Sequence, residues 1–180
     1  MRLAPLVLAA LAAATLAGCS TGSSEAPSER GRYRAGERGP VVVRPLFAAD
    51  YMAMASSIDL YEIRSSELAL TRARSPAHRD FARRMIADHK GTSAQLSLAG
   101  RRLNLLPSAT LLPRHQAMMD ELSASGDFDA IYHRQQIAVH QAALKLHSDF
   151  AARGESATLR PVAKNAAGIV RRHFDMMRRM

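Results

Sequence analysis

The stretch SPAHRDFARRMIADHKGTSAQLSLAG, residues 75–100, decides the fold. Ser75 followed by Pro76 is a helix start: a hydroxyl can take an orphan backbone N–H, and proline presets φ at the first helical position. From there Met85, Thr92, Leu96, Ala99 and Leu103 recur at steps of three and four, the period of one helix face. His89 falls on that stripe between Met85 and Thr92, and Asp88 lies one step around it, beneath Phe81 at the flank. Gly100 marks the end, with Arg101 to Leu103 as a possible extension. A helix of this length spans about 38 Å.

The same period continues on both sides. Phe47 to Ala73 reads as a helix whose stripe is Phe47, Tyr51, Ala55, Ile58 and Ala69, with Glu62 in its middle. Glu67 faces away, near Arg64. NLLPSATLLP (104–113) is a loop, Pro113 opens a short helix to Ala124, and SGDFD breaks it with Asp127 placed as a cap. Phe128 to Arg153 is the next long helix, GES interrupts, and Ser156 caps a last helix running to the end, with Pro161 near its first turn. No segment alternates with period two for long enough to be a strand. Four long helices and one short connector predict an all-α antiparallel four-helix bundle.

Composition agrees. The 180 residues allow one domain plus tails, 47% are hydrophobic, and only 5% are aromatic. The net charge of +9 is spread over every segment, with no aromatic stacking platform, so a basic surface is expected and no nucleic-acid partner. The N-terminus MRLAPLVLAALAAATLAGCS has one early charge, an apolar run and small residues before Cys19, the pattern of a secretory signal peptide over 1–18. LAGC at 16–19 resembles a bacterial lipobox, which implies acylation of Cys19, the chain's only cysteine. Ser20 follows in place of an Asp that would resemble an inner-membrane retention signal. The expected address is therefore the bacterial envelope, lipid-anchored at the outer membrane and facing the periplasm, with outer-membrane lipid as the partner of Cys19. Residues 19–46, rich in Ser, Gly, Pro and Arg, read as a disordered tether ahead of a domain at 47–180.

Each long helix turns a potential ligand inward. On the Phe128–Arg153 helix the apolar centre is Phe128, Tyr132, Val139, Leu146 and Phe150, with Ile137 and Leu144 on a second line. His133, His140 and His147 run between them, about 10 Å apart along the axis, so only one can join a given site. His140, at mid-helix, is the candidate, and the other two are expected to be partly exposed. His173 lies on the last helix's apolar face among Val162, Ala166, Ile169, Val170, Phe174 and Met177. His78 and His115 read as surface residues. Glu62, His89, His140 and His173 thus form a three-histidine, one-carboxylate set suited to one Zn, Fe, Mn or Cu ion, with Asp88 as a partner orienting a histidine. The alternative is a non-catalytic envelope structural or interaction module, its Glu and His residues forming a buried polar network that fixes helix register. An enzyme is the third reading: a carboxylate near three histidines can serve acid–base chemistry, but there is no nucleophile elbow and no phosphate-binding glycine loop, and nothing points to a substrate. Most of the nine methionines sit at core spacing.

YEIRSSELALTRARSPAHRDFARRMIADH, FDAIYHRQQIAVHQAALKLHSDFAARG and RRHFDMM together resemble a ferritin-like bacterial envelope family known as domain of unknown function 4142, often labelled outer-membrane protein. The resemblance spans about Phe47 to Met180 and rests on Glu62, Asp88, His89, His140 and His173. It implies a ferritin-like bundle with no settled activity. The Glu-x-x-His pairs of di-iron ferritins are missing, since Ile86, Ile137 and Val170 stand three residues before His89, His140 and His173. A carboxylate-bridged di-iron centre, and with it iron storage, is not expected.

Overall fold

The computed structural model describes residues 46–180. The expected signal peptide, the acylated Cys19 and the tether up to residue 45 lie outside the described residues. Five helices follow in order: α1 (Ala48–Arg72), α2 (Pro76–Arg101), α3 (Pro113–Ala124), α4 (Phe128–Arg153) and α5 (Leu159–Met177). No named strand occurs among the described residues, only an isolated bridge between Leu46 and Gly154. No described helix is long and apolar enough to cross a membrane.

The helices start and stop where local chemistry directs. Ser75 accepts the His78 backbone N–H at 3.4 Å with Pro76 in the first turn of α2. At its other end Gly100 lets the Leu105 carbonyl approach to where a Cβ would stand 2.3 Å away, and Leu105 N–H donates back to Gly100 O at 2.9 Å. Asn104, at φ 54°, then takes the left-handed turn that asparagine tolerates. Two expectations are corrected. Asp127 occupies the N-cap position of α4, but its side chain makes no capping bond. Asp129 in the first turn instead reaches across to Arg74 N at 3.0 Å and Ser75 N at 3.2 Å, binding the start of α4 to the α1–α2 turn. The last helix begins at Leu159 and ends at Met177, although Ser156 Oγ still accepts from Leu159 N at 3.2 Å. Pro161 causes this late start no harm, because the first helical N–H groups lack intrahelical partners in any case.

Cross-helix contacts fix the topology. Tyr51 meets Phe150 and Ser66 meets Tyr132, so α1 and α4 are antiparallel. Asp59 meets His89 and Met52 meets Gly100, so α1 and α2 are antiparallel; Asn165 meets Gln95 and His173 meets Asp88, so α2 and α5 are as well. Helices α2 and α4 therefore run in the same direction across the bundle diagonal, joined by a long crossover that carries α3 back along the outside. That single crossover is the ferritin-like arrangement. The core has an apolar cluster at each end. One is built on Phe81, Met85, Leu122, Phe128 and Tyr132, and the other on Tyr51, Met52, Leu96, Phe150 and Leu159. Between them lies a polar centre.

Candidate metal centre

At mid-bundle, α2, α4 and α5 bring His89, His140 and His173 to one level, each almost fully buried. Ring centres are 6.1 Å apart for His89–His140 and 5.5 Å for each of the other two pairs. One nitrogen of each ring faces the middle, and these three atoms all lie within 4.8 Å of one another.

The outward nitrogens determine the proton arrangement. His89 Nδ1 lies 2.8 Å from Asp59 Oδ1, His140 Nδ1 lies 2.8 Å from the Gln136 carbonyl, and His173 Nε2 lies 2.7 Å from Asp88 Oδ2. A carbonyl or an ionised carboxylate only accepts, so the imidazole must donate in each pair. In the neutral rings this leaves three lone pairs on His89 Nε2, His140 Nε2 and His173 Nδ1. All three atoms are buried without a hydrogen-bond partner. Buried acceptors of this kind are costly unless a cation or proton sits among them. Imidazoles held from behind by carboxylate or carbonyl are the usual support of metal-ligating histidines.

Electrostatics follow from burial. It pushes His140 down to about 3, helped by the charges of His89 and His173, and His173 down to about 4 against the pull of Asp88. Burial also disfavours the His89 cation, but the hydrogen bond and charge of Asp59, with Glu62 and Asp88, outweigh it and the net shift is upward. Phe81 lies 5.9 Å from His140 and 6.3 Å from His173, an apolar wall on the centre.

Glu62 stands outside the converging trio. Its Oε1 is 3.5 Å from His140 Nδ1, on the outward side of that ring, and neither oxygen has a partner. Burial raises its carboxyl to about 7, partly offset by the His89 charge and the Gln136 amide. Asp88, at a half-exposed edge, accepts from His173 Nε2 on the outward side of that ring.

Asp59 is the residue that sequence reasoning missed. It is buried, and besides His89 it accepts from Thr92 Oγ1 and Ser93 Oγ, both at 3.0 Å. The available signal was the spacing Asp59-x-x-Glu62, which puts both carboxylates on one helix face. Two histidines are also corrected. His147 is buried, its Nδ1 3.0 Å from the Tyr51 hydroxyl. His115 is buried because α3 lies on α1, which sets its Nδ1 2.6 Å from Ser57 Oγ. His133 is half-buried as expected, and His78 is half-buried against Asp129 at 3.0 Å.

Fold and site together define a ferritin-like four-helix bundle with a buried three-imidazole centre. The chain belongs to the family described as domain of unknown function (DUF4142), whose model matches residues 45–180. Among solved structures it is similar to CopM in the Cu(II)-bound form, with 19% identity and a TM-score of 0.65 over 76% of this chain and 96% of that one. It is also similar to CopM in the apo form (19%, TM-score 0.61, 74% and 95%) and in a co-crystallised Ag-bound form (18%, 0.61, 74% and 94%). At these identities the likeness shows the shared fold. No curated protein sequence matches the chain significantly.

Proposed function

We propose that this protein binds one transition-metal ion in the bundle core through His89 Nε2, His140 Nε2 and His173 Nδ1, with copper as the leading ion. The observation that carries the reading is the convergence of three buried, unpartnered nitrogens whose opposite ring atoms are each held by an acceptor. A purely structural polar network would pair these atoms with one another, and three lone pairs facing inward do not pair. Three imidazoles without thiolate suit copper or zinc better than the harder manganese, and among divalent ions such a set favours copper. The fold shared with a protein whose solved forms carry copper and silver supports the same order. Glu62 sets a buried carboxyl beside His140, and Asp59 and Asp88 orient two of the ligands.

The proposal extends to location. Acyl chains on Cys19 hold the protein at the outer membrane, the bundle facing the periplasm, where it buffers or sequesters the ion. The support here is the LAGC motif and the apolar segment before it.

The test is equilibrium dialysis of metal-free full-length protein against Cu(I), Cu(II), Zn(II), Mn(II) and Fe(II), with elemental analysis and melting curves. One equivalent of bound copper and a raised Tm are expected. An ion at 100 times its Kd adds about 2.7 kcal/mol to stability. No uptake and an unchanged Tm with every ion overturns the proposal, as does equal uptake by His140→Ala.

A further inference from the structure

We propose that His78 and His133 form a second metal site, at the end of the bundle where α2 and α4 begin, for a divalent ion of borderline softness such as copper(II). The two ring centres are 5.8 Å apart and the planes are tilted by 44°. An ion that holds two imidazoles at about 2.0–2.1 Å places their ring centres roughly 5–6 Å apart. The pairs of the buried centre span 5.5 to 6.1 Å, so the surface pair has the same spacing. The two sites are separate: His133 and His140 lie about 10 Å apart along α4, too far for one ion to serve both.

His78 is held ready to ligate. Its Nδ1 lies 3.0 Å from Asp129 Oδ1, and an ionised carboxylate only accepts, so Nδ1 carries the proton. In the neutral ring the lone pair is then on Nε2, which bonds to no described residue. Asp129 is itself fixed, because its other oxygen accepts Arg74 N–H at 3.0 Å and Ser75 N–H at 3.2 Å. Tyr132 packs edge-on against the His78 ring at 5.8 Å. A carboxylate behind an imidazole is the arrangement that also backs His89 and His173.

A structural role accounts for His78, whose bond to Asp129 ties α2 to α4. It does not account for His133, which sits half-buried beside His78 with neither nitrogen bonded to a described residue. The arginines next in sequence are committed elsewhere: Arg79 donates to the Ala73 and Arg74 carbonyls, and Arg134 pairs with Glu121. Arg74 is exposed to solvent, where its charge is screened. Two imidazoles without thiolate suit copper(II) first and zinc(II) second, with water completing the coordination at this half-exposed edge. Two protein ligands hold an ion less tightly than three, so this site fills after the buried centre and exchanges with solvent.

The test is a copper(II) titration of the metal-free full-length protein, followed by electron paramagnetic resonance and by competition with a chelator. Beyond the equivalent that fills the centre, a second and weaker one is expected. His133→Gln and His78→Gln should each weaken it by about tenfold or more, at least the effect of removing a partner behind a ligand. His140→Ala should leave its affinity within about twofold. Circular dichroism checks that each variant is folded; both side chains are half-buried at the edge of the bundle, so the helix content should hold. Copper uptake that is the same in wild type and His133→Gln overturns the inference, whatever the number of ions bound. Failure of the buried centre is read separately, as uptake left unchanged by His140→Ala.

Discussion

Asp59→Asn is the most informative single change, because Asp59 touches no metal position and still controls one ligand. Its Oδ1 receives His89 Nδ1–H and Thr92 Oγ1–H, and its Oδ2 receives Ser93 Oγ–H. Asparagine keeps a carbonyl oxygen with two lone pairs for the first two donors. It loses the charge and turns its NH2 toward Ser93, whose half-buried hydroxyl can rotate away. Leucine would orphan all three donors at about 1–3 kcal/mol each, and the protein would not fold well enough to report on anything else. With asparagine the folding cost is about 2 kcal/mol, the difference between charged and neutral hydrogen bonds. The cost to metal affinity is larger in meaning. Without the carboxylate, His89 is a weaker base and its tautomer is less strictly set, so copper should bind 10–100-fold more weakly, about 1.4–2.7 kcal/mol. Competition titration against a chelator of known affinity measures the loss, and nitrogen-15 NMR of labelled histidine reads the His89 tautomer. His89→Gln, which deletes the ligand, should be worse than Asp59→Asn, while Glu67→Gln on the exposed face should change nothing. A folded Asp59→Asn variant with wild-type affinity and an unaltered His89 tautomer would refute the reasoning.

Three further outcomes follow from the same geometry. Burial holds His147 at about 4, so folding favours its neutral ring. That contribution is intact above the unfolded pKa near 6.5 and is lost as pH falls toward 4, to a total on the order of 3 kcal/mol; urea unfolding of the metal-free protein at several pH values should show a shallower acid decline in His147→Gln. Gly100→Ala should destabilise by about 1–3 kcal/mol because its Cβ would meet Leu105 O at 2.3 Å, whereas Gly91→Ala, with nothing within 4 Å, should stabilise by about 0.5–1 kcal/mol. The two melting temperatures should move in opposite directions. Phe81→Ala should cost about 3–5 kcal/mol and, by exposing His140 and His173 to water, speed metal exchange measured by stopped flow.

Much of the fold was legible because it rests on local signals. The Ser75–Pro76 start and the three-four spacing of Met85, Thr92, Leu96 and Ala99 need no partner to be read. The same spacing turned Glu62, His89, His140 and His173 inward, and all four are buried. Exposure was misjudged where burial comes from another element. His115 looks external on its own short helix, yet the face of α1 at Ser57 covers it. His147 sits one heptad past His140, beyond the apolar centre of its own helix, and Tyr51 of α1 closes over it. Asp59 escaped notice because an acid one step from a stripe is ordinarily solvated.

The sequence by itself determined which residues form helices and which faces turn inward, since periodicity, caps and breakers act within a turn or two of the chain. Only the tertiary structure decided the axial levels, which depend on how far each helix slides along its neighbours. That sliding aligned His89, His140 and His173 within 4.8 Å and left Glu62 behind His140 instead of among them. It also chose which ring nitrogen of each histidine faces the centre, because a tautomer is set by an acceptor that another turn or another helix supplies: Asp59, Gln136 and Asp88.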